Sequence, residues 1–471
     1  MASRRAFLAG ASAAILSGAA PRSAWGTTQA DVAIIGAGLA GLAAARLCEA
    51  AGLKVVVLEG EPRVGGRLYT LDDMPGRPEA GGIQVGAGYA RLKAHAKELG
   101  VDLVETTGPN TGRTPGNLYW IEGERAVAET WPSSSANRLD PVERSSEPAA
   151  LLRRYASAFP VLRELEDWLT AAAEPDISVA QALIAAGASE EARRLIGCNF
   201  NGNSLSGMSQ LNLARSLSIF RGQSGPISTI AGGAQRLPEA MANSLRGSLR
   251  TLARILTIEA EPDRVVLGLT DGSQIAARAV ICTVPFSVLR SLGLRAPLAQ
   301  PMARMIAALP YTRASFAFIS TSEAFWLSDG LPATLWSDDP LLGRIFVLSD
   351  GLNGEPPMLK LWTTGPGADW LDRLDQNTAQ SEIIARLATA RPSSSGKITG
   401  VHLFSWQQMA GARGIYHHIG TGMARDLAVA TREQRARLHF AGEHLAIESS
   451  GMEGAIESGE RAAQKVLELQ G

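Results

Sequence analysis

The chain has 471 residues, of which 45% are hydrophobic and 19% charged, and its formal net charge is −1. These values are typical of a globular protein with a sizeable core and exclude a disordered chain. The balanced charge gives no general attraction to nucleic acid or anionic lipid, so neither is an expected partner. Cys48, Cys198 and Cys282 have neither the spacing of a disulfide framework nor that of metal ligands.

The first 26 residues differ from the rest of the chain. Ser3-Arg4-Arg5-Ala6-Phe7-Leu8 precedes an apolar stretch rich in Ala and Gly, which ends at Ala24-Trp25-Gly26. This pattern resembles a twin-arginine signal peptide. The apolar stretch is too short and too small-sided for a stable transmembrane helix. The sequence therefore predicts an exported, periplasmic protein without a membrane span.

A βαβ unit comes next. Asp31–Ile35 is a short β-branched run that glycine stops, as in a buried parallel strand. Helix-forming residues extend from Leu39 to Ala51, and Lys54–Leu58 reads as a second strand. The turn between the first strand and the helix is the place where such units bind phosphate groups.

That turn carries the spacing G-x-G-x-x-G at Gly36, Gly38 and Gly41. The first glycine permits the tight turn, the second lets a phosphate approach the backbone, and the third lets the helix pack on the strand. Glu59 ends the second strand 18 residues after Gly41, where an acid accepts the hydroxyl groups of an adenosine ribose. The unit thus predicts a dinucleotide site.

The remaining elements alternate between two kinds of region. Residues 135–215 read as helical, and residues 254–285 as a hairpin that closes on a buried strand at 279–285. Strand-like runs follow at 315–326, 358–363 and 438–442, and a helix at 452–467. Cofactor-like pieces therefore lie at both ends and in the middle of the chain. We predict a signal peptide over 1–26, a cofactor domain over 27–100, 228–300 and 400–471, and a substrate domain over 101–227 and 301–399.

A second glycine pair distinguishes FAD from NAD. Gly65 and Gly66 follow Glu59 closely and have Arg63 and Arg67 on either side, and the arginine fork suits phosphate oxygens. At this point the chain resembles the flavin-containing monoamine oxidase family. The matching segments are Glu79–Gly86, Ile230–Leu237, Phe440–His444 and Ser450–Ala463.

The resemblance spans residues 31–463 and implies a fold class. We expect an α/β protein in which a Rossmann-like FAD-binding domain is interleaved with an α+β substrate-binding domain. It also implies further cofactor contacts. Gly82 and Ile83 would pass the flavin ring, and the N–H of Met452 would face its N1–C2=O edge. Ile255 would contact adenine. Glu443 would contact the ribityl chain or a pyrophosphate-side water.

Trp406 and Tyr416 lie ten residues apart, as do a tryptophan near the flavin and one wall of the aromatic cage in monoamine oxidases. Such a cage presents ring faces to an amine and directs it toward flavin N5. We assign both residues orienting roles. His417 and His418 follow Tyr416, and because no further ligand lies at metal spacing, we interpret them as a polar loop without a metal.

The chain departs from the family pattern at three positions. Ile415 stands where mammalian relatives carry the cysteine that bonds to flavin, so FAD should be noncovalent. Gly451 replaces the second cage tyrosine, which leaves room for a bulkier amine or for an aromatic side chain from elsewhere. The lysine that relatives place before the Phe325-Trp326 pair is absent, with Ser315 or Phe316 at its position; Lys360 is a candidate substitute.

The resemblance predicts oxidative deamination of a small-molecule amine by hydride transfer to flavin N5, with oxygen as the electron acceptor. A dehydrogenase that passes electrons to a periplasmic carrier such as cytochrome c stays open, since the lysine is absent. So does an L-amino acid oxidase, which needs an arginine for the carboxylate; the candidates are Arg313, Arg215 and Arg221. A homodimer is compatible with the sequence.

Overall fold

The computed structural model describes residues 28–106, 113–222, 225–352, 354–432 and 437–469, so the predicted signal peptide lies outside it. Its strands are β1 (Thr28–Ile35), β2 (Val55–Leu58), β3 (Leu103–Glu105), β4 (Thr114–Ile121), β5 (Glu124–Ala126), β6 (Ser228–Ile230), β7 (Ser248–Arg250), β8 (Ile255–Ala260), β9 (Val265–Leu269), β10 (Gln274–Cys282), β11 (Gly293–Arg295), β12 (Ala314–Thr321), β13 (Pro332–Ser337), β14 (Arg344–Asp350), β15 (Pro357–Thr364), β16 (Ile398–Ser405) and β17 (Leu438–Phe440).

The helices lie mainly between these strands. They are α1 (Leu39–Ala50), α2 (Ala90–Glu98), α3 (Leu151–Arg154), α4 (Trp168–Ala171), α5 (Val179–Ala185), α6 (Glu190–Cys198), α7 (Gln210–Gly222), α8 (Arg236–Asn243), α9 (Phe286–Leu289), α10 (Gln300–Ala308), α11 (Pro366–Leu371), α12 (Gln376–Ala390), α13 (Ala424–Arg432) and α14 (Gly451–Glu468). Phe325 and Trp326, predicted as the end of a strand, form a short 3₁₀ turn instead.

The first sheet contains the predicted βαβ unit. In the described residues its strand order is β11-β8-β9-β10-β1-β2-β7, and β17 pairs with the second half of β10. β1 is parallel to both β2 and β10, so the loops after these strands open at the same edge of the sheet. α1 and α14 cover one face, where Val32, Ile34, Leu42 and Ile456 are all fully buried.

The second sheet has the order β16-β12-β15-β14-β13-β4-β5 within the described residues. Its central strands β12, β15 and β14 are antiparallel neighbours, so alternate residues of each strand point to the same face. β16 crosses the domain boundary predicted at residue 400, and its pairing with β12 from Ile398 to Ser405 places it in this sheet. The second sheet therefore extends beyond residue 399.

A two-stranded ribbon also crosses the predicted boundaries. β3 pairs with β6, although the sequence placed β3 in the substrate domain and β6 in the cofactor domain. The helical region predicted for 135–215 contains α3 to α7 with short 3₁₀ turns between them. Among the described residues, no helix is both long enough and apolar enough to cross a membrane.

Close packing between α1 and α14 depends on Gly459. A Cβ atom at this position would lie 2.1 Å from the carbonyl oxygen of Ala40, which is backbone and cannot move aside. We expect Gly459→Ala to lower the stability by about 1–3 kcal/mol, because the two helices must separate. Helix propensity alone would give the opposite sign, a gain of roughly 1 kcal/mol.

Thermal unfolding of the flavin-loaded protein measures this effect. The matched control is Gly400→Ala, since a Cβ atom at Gly400 meets nothing within 4 Å. An unfolding temperature for Gly459→Ala equal to that of the control would contradict the packing argument.

Candidate active site

A continuous cavity of about 1510 Å³ opens between the two sheets. It exceeds the roughly 300–1,000 Å³ of a usual small-molecule pocket, so it has room for a large cofactor together with a second ligand. All but one of the predicted cofactor-binding residues line it, as do the two predicted orienting aromatic residues. They are Gly36, Gly38, Glu59, Gly65, Gly66, Arg67, Gly82, Ile83, Ile255, Trp406, Tyr416, Glu443 and Met452.

The exception is Gly41, which lies behind the cavity wall. A Cβ atom there would approach the carbonyl oxygen of Gly36 to 1.9 Å, so this glycine lets α1 pack on the β1 turn. Gly36 has φ +102°, a conformation that favours glycine. Gly38 precedes α1 without a side-chain cap, which leaves the N–H groups of the first helical turn available to an anion.

Glu59 connects the ends of β1 and β2. Its Oε2 accepts a hydrogen bond from the Ala37 N–H at 2.7 Å, and its Oε1 accepts one from the Glu61 N–H at 2.8 Å. Burial raises the pKa of this carboxyl, and these two backbone bonds oppose the rise. Each oxygen keeps a further lone pair for a hydroxyl group in the cavity.

The second glycine pair approaches the first one closely. The Gly65 N–H donates to the Ala37 carbonyl at 2.8 Å, and an ideal Cβ on Gly38 would lie 3.9 Å from the Gly66 Cα. Arg63 supports this loop from behind, because its guanidinium donates to the carbonyls of Gly66 and Leu68 at 2.7 and 3.0 Å. The bare glycine backbones thus form a cradle that side chains would fill.

Arg67 extends from the same loop to a buried carboxylate. Its Nη1 donates to the Ile415 carbonyl at 2.9 Å and to Glu443 Oε2 at 3.3 Å. Glu443 Oε1 lies 2.9 Å from Nδ1 of His417. Burial alone would raise the pKa of Glu443, but the charges of His417 and Arg67 outweigh it and hold the pKa well below its usual range.

His417 therefore belongs to the cavity wall, which sequence reasoning missed. Its Nε2 is buried and has no hydrogen-bond partner among the described residues, although the side chain lines the cavity. His418 points elsewhere, with Nδ1 3.1 Å from the hydroxyl of Thr312, and burial lowers its pKa to about 4. Within the described ranges no group of three or more His, Cys, Asp or Glu side chains is placed to hold a metal ion.

The segment around Gly82 passes through the middle of the cavity. Trp406 is fully buried and its Nε1 donates to the Ala80 carbonyl at 2.7 Å, which fixes this segment from one side. An ideal Cβ on Gly82 would lie 3.5 Å from the sulfur of Met452, in the first turn of α14. Ser450 makes no side-chain cap, so the first N–H groups of α14 are available to a ligand.

Lys360 approaches the same segment from the other side. It is 2% exposed, and its Nζ donates to the Glu79 carbonyl at 2.8 Å. The amine lies 4.1 Å from the ring centre of Phe316 and 5.4 Å from that of Trp362. Burial lowers its pKa to about 7, an effect that the nearby Glu79 opposes.

The position aligned with the family's lysine is occupied differently. Ser315 turns away and donates to Asp372 at 2.6 Å, whereas the buried ring of Phe316 packs under Lys360. Lys360 reaches the cavity from β15, the strand beside β12. A lysine thus reaches the cavity from the strand next to that position.

Tyr416 and a face of the second sheet form the opposite end of the cavity. Burial raises the pKa of Tyr416 to about 12, so its phenol stays neutral. Apolar and aromatic side chains line this end, with one arginine among them: Trp336, Arg344, Phe346, Leu348 and Trp362. The site can therefore exclude water from a bound ligand while contacting it at a few polar points.

Gly451, which replaces the second cage tyrosine, has an aromatic neighbour from another segment. A Cβ on Gly451 would lie 3.3 Å from the hydroxyl of Tyr89, which also lines the cavity. Ile415 lines the cavity as well, and none of the three cysteines does.

Two of the arginines proposed for a carboxylate have other partners. Arg215 donates to the carbonyls of Ala446 and Ser449 at 2.8 and 2.6 Å and so holds the loop before α14. Arg313 forms an ion pair with Asp369 at 2.7 Å and is not part of the cavity wall. The side chain of Arg221 lies outside the described part of the structure.

The cavity fits a dinucleotide. It combines a glycine cradle beside a helix N-terminus, a carboxylate at the end of the second strand and a buried imidazole nitrogen without a hydrogen-bond partner in the described part of the chain. The sequence profile of flavin containing amine oxidoreductases matches residues 39–467. This chain belongs to that family.

Curated relatives span nearly the whole chain. The putative L-amino-acid oxidase YobN of Bacillus subtilis (strain 168) is 25% identical over 461 residues, which cover 93% of this chain and 95% of the relative. Amine oxidase [flavin-containing] B of Homo sapiens is 24% identical over 465 residues, which cover 94% of this chain and 87% of the relative.

Solved structures share the fold. Cyclohexylamine oxidase from Brevibacterium oxydans IH-35A superposes with a TM-score of 0.76 at 22% identity, covering 94% of this chain and 99% of that one. Putrescine oxidase bound to putrescine gives a TM-score of 0.74 at 22% identity, covering 94% of this chain and 100% of that one. The predicted fold class is thereby confirmed.

Family membership confirms the cofactor and the reaction class. The protein binds FAD and is an oxidoreductase that catalyses the oxidative deamination of amines.

Glu59 offers a test of the cofactor cradle. We expect Glu59→Gln to weaken FAD binding by about 10- to 100-fold, because hydrogen bonds to a charged group contribute roughly 1.5–3 kcal/mol each. Flavin fluorescence titration of the apoprotein measures this affinity. The control is Glu98→Gln, which removes an exposed carboxylate that pairs with Arg46. Equal affinities in the two variants would show that Glu59 does not contact the cofactor.

Proposed function

We propose that the protein is an amine oxidase that uses oxygen as its electron acceptor and releases hydrogen peroxide. When bound, FAD would supply the redox chemistry, as the acceptor of a hydride from the carbon that bears the amino group and the donor of two electrons to oxygen. The organic product is an imine, and water hydrolyses it to an aldehyde or ketone. The names of the curated relatives divide between amine oxidases and L-amino-acid oxidases, and this reaction is common to both.

Tyr416 and Trp406 orient the reacting groups in this proposal. Tyr416 presents a neutral aromatic surface to the amine, and Trp406 fixes the Ala80 carbonyl and hence the segment beside the ring. The apolar wall favours the uncharged amine, since burial disfavours an ammonium group. A neutral amine has the lone pair that expels the hydride. No acid–base residue is required for that step.

The other predicted contacts belong to the same proposal. Gly36, Gly38, Gly65 and Gly66 admit the pyrophosphate, and the ends of the cradle, Glu59 and Ile255, hold the adenosine. The buried Nε2 of His417, which has no hydrogen-bond partner among the described residues, would be available to the bound cofactor. Gly82, Ile83 and Met452, which line the cavity, would hold the ring.

We also propose that FAD is held without a covalent bond. Ile415 offers no nucleophile, and the three cysteines lie outside the cavity wall. Denaturing the flavin-loaded protein tests this, because a covalently attached flavin would stay with the denatured chain instead of leaving it.

We propose oxygen rather than a protein electron carrier as the acceptor because of Lys360. The first electron that oxygen receives makes it an anion, and a fixed cation in a site of low polarity stabilises that charge strongly. The Lys360 amine lies at the cavity wall and is tied to the Glu79 carbonyl of the central segment. We propose that Lys360 takes the role of the lysine whose absence favoured a carrier.

We expect Lys360→Met to slow the reaction of the reduced enzyme with oxygen by about 10²-fold, as for the loss of one preorganised electrostatic group. Anaerobic reduction by the amine should change much less. Because the pKa of Lys360 is about 7, the wild-type oxygen rate should fall as the pH rises through that value and the amine loses its charge. Stopped-flow spectroscopy measures both half-reactions.

The control for that experiment is Lys397→Met, which removes a half-exposed lysine paired with Glu323. The Lys360→Met profile should also lose its pH dependence near 7. Two outcomes would favour the dehydrogenase alternative. One is an unchanged oxygen rate in Lys360→Met. The other is a reduced wild-type enzyme that oxygen oxidises slowly and a cytochrome c oxidises rapidly.

We further propose export to the periplasm by the twin-arginine route. The support is the sequence from Ser3 to Gly26, with its arginine pair and its apolar stretch. Replacing Arg4 and Arg5 together by lysine should keep the folded protein in the cytoplasm. Fractionation of the expressing cells with flavin fluorescence as the readout checks this, and periplasmic flavoprotein from the variant would contradict it.

A further inference from the structure

Arg344 is an arginine in the substrate end of the cavity that no sequence motif marks. It begins β14 and lines the cavity together with Phe346 and Leu348, the alternate residues of that strand. Its Nη2 donates to Oδ1 of Asn201 at 2.5 Å, and its Nε is buried without a hydrogen-bond partner among the described residues. Part of the guanidinium fork is thus unused.

No carboxylate compensates this charge in the described part of the structure. The two acids in the β13–β14 turn are engaged elsewhere, since Asp338 pairs with Arg194 and Asp339 with Arg386. Burial lowers the pKa of Arg344, and among the described residues the phenol of Tyr416 opposes the shift. A guanidinium nevertheless stays protonated in proteins, so a positive charge faces the ligand.

Strand register places a second cation on the same face. Arg344 pairs with Trp362, and Phe346 pairs with Lys360. Lys360 is therefore two residues along the strand from the Arg344 pair, about 7 Å at the usual rise of a strand. Both side chains line the cavity. Two cations at this end repel a simple alkylammonium or diamine, whereas a ligand that brings its own anion balances one of them.

We infer that the substrate is an amino acid whose carboxylate binds the free edge of the Arg344 guanidinium. This inference rests on the proposed function and names the substrate class for the same site. A carboxylate matches the arginine fork in geometry and in charge. Tyr416 lies close enough to Arg344 to couple to it electrostatically, so the orienting phenol borders the same carboxylate.

The surroundings of Arg344 also indicate the side chain of the substrate. Trp336, Phe346 and Trp362 contribute broad apolar surfaces around the guanidinium. Such walls suit an apolar or aromatic amino acid, whose burial is favourable in proportion to its apolar area.

Matched ligand pairs test the inference directly. The probes are both enantiomers of phenylalanine and of leucine, each compared with the decarboxylated amine, phenethylamine or isopentylamine. Flavin bleaching is followed under anaerobic conditions, which removes the oxygen step from the measurement. The measured efficiency is the rate constant of flavin reduction divided by the dissociation constant of the ligand. In the wild type it should be higher for an amino acid than for its amine by on the order of 10²-fold or more, because the amine leaves the Arg344 charge unpaired.

Variants of Arg344 then separate charge from packing. Arg344→Met should lower amino-acid efficiency by on the order of 10²- to 10³-fold and leave the efficiency for the matched amine equal or higher. Arg344→Lys keeps the charge without the fork and should give an intermediate loss, mainly in the dissociation constant. The control is Arg313→Gln, because that arginine pairs with Asp369 away from the cavity. Flavin content and unfolding temperature establish that each variant is folded.

The outcomes separate the inference from the function on which it rests. If an amine reduces the flavin as efficiently as its parent amino acid, or if Arg344→Met loses both efficiencies equally, amine oxidation stands and the carboxylate site is rejected. If no amine and no amino acid reduces the flavin, the proposed function itself fails.

Discussion

The buried carboxylate of Glu443 joins three chain segments that are far apart in sequence. It contacts Arg67 from the second glycine loop and His417 from the segment that carries Tyr416, and it stands between β17 and α14. An isolated carboxylate at this depth would be costly, whereas one paired with two cationic or hydrogen-bonding partners is tolerated. Removing Glu443 would leave Nδ1 of His417 without its partner and Arg67 with only the Ile415 carbonyl. The hydrogen bonds of Glu443 and Arg67 therefore connect the glycine loops to the segment that carries Ile415 and Tyr416, and they fix these two residues relative to the loops.

Motifs with a local physical cause are readable from the sequence alone. Gly36, Gly41 and Gly65 are required by a positive φ or by a backbone contact within a few residues, and the structure shows those constraints where the spacing predicted them. The strands and the helix of the first βαβ unit could be predicted for the same reason, because their apolar runs and the glycines that end them lie next to one another in the chain. The domain boundary at 400 could not be read this way, since only the pairing of β16 with β12 assigns that strand to the second sheet.

The residues that distinguish this chain within its family depend instead on long-range register. Lys360 and Arg344 face the cavity because β12, β15 and β14 pair in one particular alignment, and a shift by one residue would turn both away. Tyr89 reaches Gly451 from α2's N-terminal end, across more than 350 residues of sequence. The sequence lacks the family's lysine and its second cage tyrosine at the aligned positions, whereas in the folded chain Lys360 and Tyr89 reach the cavity from other elements.

The two cations of the substrate wall differ in a way that suits different tasks. Lys360 has a pKa of about 7, so it can be charged or neutral under working conditions and responds to charge that develops beside it. Arg344 keeps its charge throughout and presents a planar fork, which suits a ligand group that stays anionic from binding to release. Under the proposed function and the inferred amino-acid substrate, Arg344 would recognise the carboxylate while Lys360 would stabilise reduced oxygen. The carboxylate contact would then position the substrate, so the aromatic rings would be needed for shape and for exclusion of water more than for holding a cation.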